Sequence, residues 1–352
     1  MRNIPLFVFL LIVKLLYSQV SAPKYSNEFL SLGISGKSIA LSESVVATTN
    51  DASAGMLNPA GLVRYNGKRE LSLMHAEYFA GIAQFDYIGY VQQIDTLSAF
   101  SFSAVRFGVD DIPDTRYLFD ANGAINYDNV KFFSANDYAF YVSYSRLISN
   151  VEGLSLGGNL KVIYRSVGEF ATAWGTGLDF GLQLHRKFKL GVFLKDATST
   201  YTTWFVNNQL LEETYLVTGN TLPENSLEIA LPRLIIGVAK QIVVKEKFVI
   251  NSEIDFDLTF DGKRNTILAT NLISVDPHAG IEIGYDNLVF VRYGIGDMQY
   301  VKEFDDTQQL QFQHNFGIGL KIKKIKIDYA LTNFAKSSDV LFSNVFSIGY
   351  DF

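Results

Sequence analysis

Residues 178–185 read Leu178-Asp179-Phe180-Gly181-Leu182-Gln183-Leu184-His185. Apolar side chains hold the even positions; acidic, small or polar ones hold the odd positions. In an extended chain successive side chains point to opposite faces, so this period of two makes a strand with one apolar and one polar face. The alternation recurs in both directions along the chain. Ile254, Phe256, Leu258 and Phe260 alternate with Glu253, Asp255, Asp257 and Thr259. Phe312, His314, Phe316, Ile318 and Leu320 alternate with Gln313, Asn315, Gly317 and Gly319, and Phe346, Ile348, Tyr350 and Phe352 alternate with Val345, Ser347, Gly349 and Asp351. Toward the N-terminus, Phe85, Tyr87, Gly89 and Val91 alternate with Asp86, Ile88 and Tyr90.

Many of these runs have about 9 to 12 residues, the length a tilted strand needs to cross the hydrocarbon layer, whereas soluble strands average about 5 or 6. Asp179, Glu253, Asp255, Asp257 and Asp328 fall in mid-strand. A dry sandwich core does not tolerate such carboxylates; a polar lumen does. Fourteen strands are expected, at 71–79, 84–92, 98–107, 137–147, 154–164, 174–185, 187–195, 232–240, 247–259, 278–286, 288–295, 312–323, 325–333 and 345–352. With the first strand running outward from the periplasm, the even connections are all short (93–97, 148–153, 241–246, and turns near Arg186, Asn287 and Lys324). Most odd ones are long (108–136, 165–173, 196–231, 260–277, 296–311, 334–344); only that around Ala80 to Ile82 is short. Sorting by parity is what a barrel with periplasmic turns and extracellular loops requires. The predicted fold is therefore all-β: a closed, 14-stranded antiparallel transmembrane β-barrel over 71–352 in a bacterial outer membrane, with no open edge.

Composition agrees. The 352 residues include 28 Phe, 19 Tyr and 27 Gly, which favour strands. A net charge of -6 without a basic stripe gives no reason to expect a nucleic-acid partner, and none is expected. There is no cysteine, so no disulfide, thiolate nucleophile or Cys-ligated metal exists. Residues 1–18 read as a signal peptide: Arg2, then a run from Ile4 to Leu16 too short to span a bilayer as a helix. Cleavage before Gln19 is preferred, with cleavage after Ala22 as second choice. Segment 19–70 lacks strand periodicity. It reads as turns and short helices, Asn27–Leu32 and Ser35–Ser44, with a strong turn at Asn58-Pro59-Ala60-Gly61. It is expected to begin on the periplasmic side and to plug or line the lumen from below, leaving both mature termini periplasmic or luminal.

Chemistry-bearing motifs are sparse. His75, His185, His278 and His314 form no zinc spacing, and neither a nucleophile elbow nor a phosphate-binding loop occurs, so no enzyme activity, metal or cofactor is expected. Asp110-Asp111 with Asp114, and Glu303 with Asp305-Asp306, lack calcium-loop spacing and read as solvated acidity. Strand glycines such as Gly157, Gly181 and Gly317 are expected to ease curvature or make room for luminal packing. The long loops are unusually apolar. Tyr117, Phe119, Tyr127 and Phe132 in 108–136, and Tyr201, Trp204, Phe205 and Tyr215 in 196–231, are candidate contacts for a ligand or protein.

The run from Phe29 through Gly33 and Gly36-Lys37-Ser38, then Val45-Val46-Ala47-Thr48, then Asn50-Asp51 through Leu57-Asn58-Pro59-Ala60-Gly61-Leu62, resembles the N-terminus of the PorV/PorQ-type outer-membrane proteins of Bacteroidota, within the broader fatty-acid-transporter-like (FadL-like) barrels. The matching family features are the small-residue stretch Ser35–Ser44, Asp51 and Asn58-Pro59-Ala60, with Gly61 closing the motif. The usual aromatic before Asn-Pro is Leu57 here, and the Arg-Ala pair common near Gly36-Lys37 is changed. The resemblance implies fourteen strands, a luminal N-terminal segment and a non-enzymatic place in type IX protein secretion or gliding. Its partners would be a large outer-membrane translocon or other membrane-complex protein and the C-terminal domains of secreted cargo, with lipid or lipopolysaccharide around the barrel. The eight loop aromatics named above would make the protein contacts. The alternative, drawn from the wider group, is a transporter of hydrophobic small molecules, in which the same loops line a continuous apolar pocket. A plain porin is the third reading; apolar loops and a plug oppose it.

Overall fold

A computed structural model describes residues 26–120, 122–302, 307–332 and 343–352. The signal peptide, the acidic cluster at Glu303, Asp305 and Asp306, and most of loop 334–344 lie outside the described residues. Among the described residues there are seventeen strands: β1 (Arg69–Tyr78), β2 (Ala83–Gln93), β3 (Ser98–Asp114), β4 (Lys131–Leu147), β5 (Leu154–Val167), β6 (Ala171–His185), β7 (Lys189–Lys195), β8 (Thr200–Val206), β9 (Ser226–Ala230), β10 (Arg233–Val244), β11 (Phe248–Thr259), β12 (Leu268–Ala269), β13 (Ser274–Tyr285), β14 (Val289–Lys302), β15 (Gln308–Ile322), β16 (Ile325–Thr332) and β17 (Ser343–Asp351). Fourteen of them form the wall. β1 to β7 pair in sequence, β7 pairs with β10, β11 with β13, and β17 returns to β1 with Leu73 opposite Ile348. Every neighbour is antiparallel, and closure leaves no unpaired edge in hydrocarbon. No helix among the described residues is long and apolar enough to cross a membrane.

The fourteen expected strands coincide with the fourteen wall strands; the differences lie at the long-loop end. β3 runs on to Asp114 and β4 starts at Lys131, so much of loop 108–136 is strand. A bulge between Val109 and Ile112, with Asp111 at φ 56, shifts the register there. An extra residue breaks the period of two, which is why the alternation stops at 107 in sequence while the ladder continues. Segment 196–231 also carries structure. β8 and β9 form a hairpin that pairs with the upper half of β6, and a helix (Asn208–Thr218) ends at Gly219 in the left-handed conformation.

Side-chain direction follows the sequence pattern. Phe180, Leu160, Ile254, Phe256, Ile318 and Ile348 point outward and are exposed; Asp179, Gln183, Glu253, Asp255 and Asp257 point inward and are buried. The inward charges are paired as low polarity demands. Lys161 lies 2.8 Å from Asp179 and 2.5 Å from Asp196, and Arg292 lies 2.6 Å from both Glu282 and Asp328.

Residues 26–65 occupy the lumen. They comprise a 3-10 turn (Glu28–Ser31), two short helices (Gly36–Ala40, Ala54–Leu57) and a second 3-10 turn (Pro59–Arg64). The helix expected over 35–44 is capped by Ser35, whose hydroxyl accepts from Ser38 N at 3.0 Å. It ends early because Ser42 and Glu43 take positive φ. The direction of the segment also differs from expectation. Ser26 and Asn27 touch Glu228 and Thr202 at the long-loop end, whereas the Arg64 guanidinium donates to Gly153 O in a short turn at the other end. The segment therefore descends the barrel rather than entering it from the short-turn side.

Candidate functional site

The plug divides the lumen into unlike halves. Toward β1–β5 it packs dry: Phe29, Leu30, Ile34, Ile39 and Met56 meet Met74, Phe85, Tyr87, Val105, Tyr141 and Ile163. Burying aromatic and branched side chains here holds the plug against one wall. Toward β6, β7 and β11 it is hydrogen-bonded. Asp255 accepts from Val45 N and Val46 N at 3.0 Å each, and Glu253 accepts from Ala47 N at 2.5 Å and from the Thr48 hydroxyl. Gln183 donates to Val46 O and Thr49 O.

Asn58, a residue of the sequence motif, is fully buried at this seam. Its Oδ1 caps the second 3-10 turn by accepting from Ala60 N (3.2 Å), with Pro59 at the first position. Its Nδ2 donates to Val46 O (2.8 Å), Leu182 O (3.2 Å) and Val192 O (3.4 Å). A Cβ at Gly181 would lie 2.0 Å from Asn58 Oδ1, and one at Gly61 would lie 2.1 Å from Thr49 O. Both glycines are there for close approach. Asp51 accepts from Ser53 N at 3.0 Å and organises the turn before the second helix.

Between the plug and the remaining wall lies a cavity of about 550 Å³. Leu30, Ile34, Val45, Val46 and Met56 of the plug and Phe193 of β7 give it an apolar side. Arg233, Asp257, Asp276, His278, Gln313 and Asn315 give it a polar side, and Arg264, Asn265 and Thr266 carry it up to the loop beyond β11. Arg233 Nε lies 2.6 Å from both Asp257 oxygens, and its Nη1 donates to Ser31 Oγ. Arg264 bonds Asp261 and Glu28, and Lys195 donates to Leu30 O at 2.6 Å. Burial pushes the Glu43 carboxyl up to about 8 against a hydrogen bond from Ser38; Asp297 adds to the rise and Lys195 opposes it. Of these residues the sequence reading named Asp257, Gln313 and Asn315 as polar strand positions, Val45 and Val46 within the family-like segment, and His278 as a histidine without zinc spacing. The others come from strands and loops tens of residues apart, and no local spacing announces them. The one available signal was the parity of inward positions on β10, β13 and β15.

The eight loop aromatics take different places. Tyr117, Phe119, Tyr127, Phe132, Tyr201 and Phe205 are exposed at the long-loop end. Trp204 is half-buried, with the Arg165 guanidinium 5.0 Å from its ring, and Tyr215 is half-buried on the 208–218 helix. Arg116 ties the two loop systems together: it pairs with Asp114 at 2.8 Å, donates to Leu210 O at 2.5 Å and lies 4.5 Å over Phe170. Asp110, Asp111 and Asp114 belong to β3 rather than a loop, and among the described residues no group of His, Asp and Glu is arranged to hold a metal ion.

No protein-family model and no curated protein matches the chain. Solved structures do. The monoaromatic hydrocarbon channel CymD superposes with a TM-score of 0.56 at 13% identity, covering 91% of this chain and 98% of CymD. The Pseudomonas putida toluene transporter TodX gives 0.50 at 14% identity over 90% and 96%. A Pseudomonas aeruginosa FadL homologue gives 0.50 at 12% identity over 91% and 98%. These neighbours correct the expectation of a type IX secretion component: they are hydrocarbon channels, transporters and a FadL homologue, and they favour the alternative. At these identities the likeness is one of fold, and the chain has the closed fourteen-stranded, FadL-like barrel of an outer-membrane protein.

Proposed function

We propose that this barrel carries hydrophobic small molecules across the outer membrane, without enzymatic chemistry and with its long-loop end facing outward. The observation that carries the reading is the luminal cavity of about 550 Å³, walled on one side by apolar plug residues and reaching the loops at the wide-loop end. That volume suits a single small ligand. The fold neighbours named as toluene transporter and hydrocarbon channel support it. So does the plug, whose packed and hydrogen-bonded faces oppose a water-filled pore. The exposed aromatics Tyr117, Phe119, Tyr127, Phe132, Tyr201 and Phe205 serve as a collecting rim for apolar solutes, and lipid or lipopolysaccharide covers the outward belt. The likeness of residues 29–62 to PorV/PorQ-type leaders fits this reading, since those proteins belong to the same barrel group.

The test is uptake of radiolabelled toluene and of a longer hydrocarbon by cells expressing the full chain in their outer membrane. Several-fold faster uptake than in vector controls is expected. Ile235→Trp, which fills the cavity from β10, should abolish the gain while the barrel stays heat-modifiable on a gel. Large steady ion conductance together with equal uptake of a sugar of similar size would replace the proposal with an open pore.

A further inference from the structure

The alternation of buried and exposed positions that marks the barrel wall stops on β10 at Ala239. Up to that point β10 is paired on both sides: Arg233 to Ala239 lie against β7, and the whole of Arg233–Val244 lies against β11. β7 begins at Lys189, opposite Ala239, so the end of β10 from Lys240 to Val244 has a strand on one side only. Ile242 (45%), Val243 (63%) and Val244 (38%) are exposed there, on both faces of the projecting hairpin. The surroundings are aqueous. Lys240 points outward with its ammonium 5.3 Å from the Phe188 ring, the level at which a cation reaches the headgroups, and the residues after it lie farther from the hydrocarbon. A β-branched run with an open row of backbone groups and no lipid over it is a template for another strand.

The charges around this edge select its partner. Lys240, Lys245 and Lys247 border it on the hairpin, and Arg186 and Lys187 stand on the neighbouring turn between β6 and β7; all five are exposed, and Glu246 is the one acid of the two turns. A second copy laid edge to edge would bring lysines against lysines, and like charges set opposite one another are destabilising. An acidic strand meets the complement. We infer that the Lys240–Val244 edge is a docking strand for an extended segment of a soluble protein on the short-turn side, a segment in which apolar and acidic residues alternate. Main-chain bonds to the open edge supply affinity, while the guest's apolar side chains cover Ile242, Val243 and Val244 and its carboxylates meet the lysines. The surface lies outside the lumen, so the barrel presents it whether or not anything crosses the cavity.

The probe is a dye-labelled nine-residue peptide of alternating valine and glutamate, titrated by fluorescence anisotropy onto the full chain in nanodiscs of zwitterionic lipid, where both ends of the barrel meet solvent. Its controls are the same residues in two blocks, the alternating peptide with N-methylated valines, and a valine–lysine version. The alternating acidic peptide is expected to bind at least tenfold more tightly than each control. Lys245→Glu together with Lys247→Glu should weaken it at least tenfold, with heat-modifiability confirming the fold. The chain has no cysteine of its own, so Val243→Cys should trap a cysteine-bearing form of the peptide as a disulfide several-fold faster than Ile94→Cys, which is exposed in another short turn. Equal binding of the N-methylated peptide overturns the inference, because attraction without strand pairing would then suffice. Equal trapping at 94 and 243 also overturns it. So does failure of the acidic peptide to bind; a charge-reversed barrel that then retains less phosphatidylglycerol in native mass spectrometry would assign the lysines to lipid headgroups instead.

Discussion

At the scale of single residues, Asn58 joins three parts of the molecule through one amide: the 3-10 turn at Ala60, the plug turn at Val46 and the barrel wall at Leu182. Asn58→Ala removes the cap and the donors together. It should lower stability by about 1–3 kcal/mol, read as a drop in the temperature at which the barrel loses its fast gel mobility, and should expose residues 45–60 to protease. Unchanged protease resistance would show that the dry contacts alone hold the plug. Glu43 makes a pH-dependent counterpart. Its carboxyl, raised by burial from 4.5 to about 8, faces Ser38 and Tyr78 with Asp297 and Lys195 opposite. Below pH 4.5 folded and unfolded chains both hold the proton. Between pH 4.5 and 8 the unfolded chain releases it first, so stability falls as pH rises through that window. Glu43→Gln should therefore stabilise the fold at pH 8.5 by on the order of 2 kcal/mol, read as a higher melting temperature, and change little at pH 4.5. Equal effects at the two pH values would mean that ionisation of Glu43 is not what is felt.

At the scale of elements, what was legible in the sequence depended on whether the physics was local. The run 178–185 announces β6 because each residue's environment is set by the pleat, and the same rule finds all fourteen wall strands. The rule fails where the pleat is broken: Asp111 bulges β3, and the extra residue hides the seven positions up to Asp114. The helix 208–218 was not read from the sequence, because its own apolar pattern is weak. The cavity was not legible, because Asp255, Asp276 and Arg233 meet only when β10, β11 and β13 are set side by side. The motif around Asn58 marked the plug, yet the direction of the segment through the lumen followed from contacts such as Asn27 with Thr202, 175 positions apart. Arg116 offers a test at this scale. Its guanidinium links β3 to the 208–218 helix through Leu210 O and lies over Phe170. Arg116→Ala should free the helix from the barrel mouth and speed limited proteolysis between 207 and 225 at least several-fold, without lowering the melting temperature of the wall. Proteolysis at the wild-type rate would place the helix's anchorage in the β8–β9 hairpin instead.

At the scale of the whole molecule, the outward surface is not uniform around the barrel. Along β5, β6, β11, β15 and β17 the lipid-facing positions are mostly apolar and carry no charged pair, with rings such as Tyr164–Trp174 and Tyr293–Phe316 packed at 4.8 and 5.2 Å. On β1 to β3 the apolar band is interrupted. His75 lies 2.7 Å from Asp86, and Arg106 lies 3.5 Å from both Asp86 and Asp110, all on the outward face and close to the short connection 79–82. Charges in mid-hydrocarbon are costly, whereas near the headgroups they are nearly free. The cluster therefore marks headgroup depth, and the hydrocarbon belt is shorter at β1–β3 than on the opposite wall. The inward face supplies the complement: the dry core against Phe85 and Tyr87 lies behind this stretch, and the apolar side chains that the wall lacks outside are packed inside. Paired substitutions test the asymmetry by reversible urea unfolding in vesicles. Phe180→Arg, in mid-belt on β6, should cost about 2–4 kcal/mol, and Asp86→Leu, which removes only exposed ion pairs, should change stability by less than about 1 kcal/mol. If Phe180→Arg proved as mild as Asp86→Leu, β6 would not face lipid at that height, and the belt would have to be redrawn around the barrel.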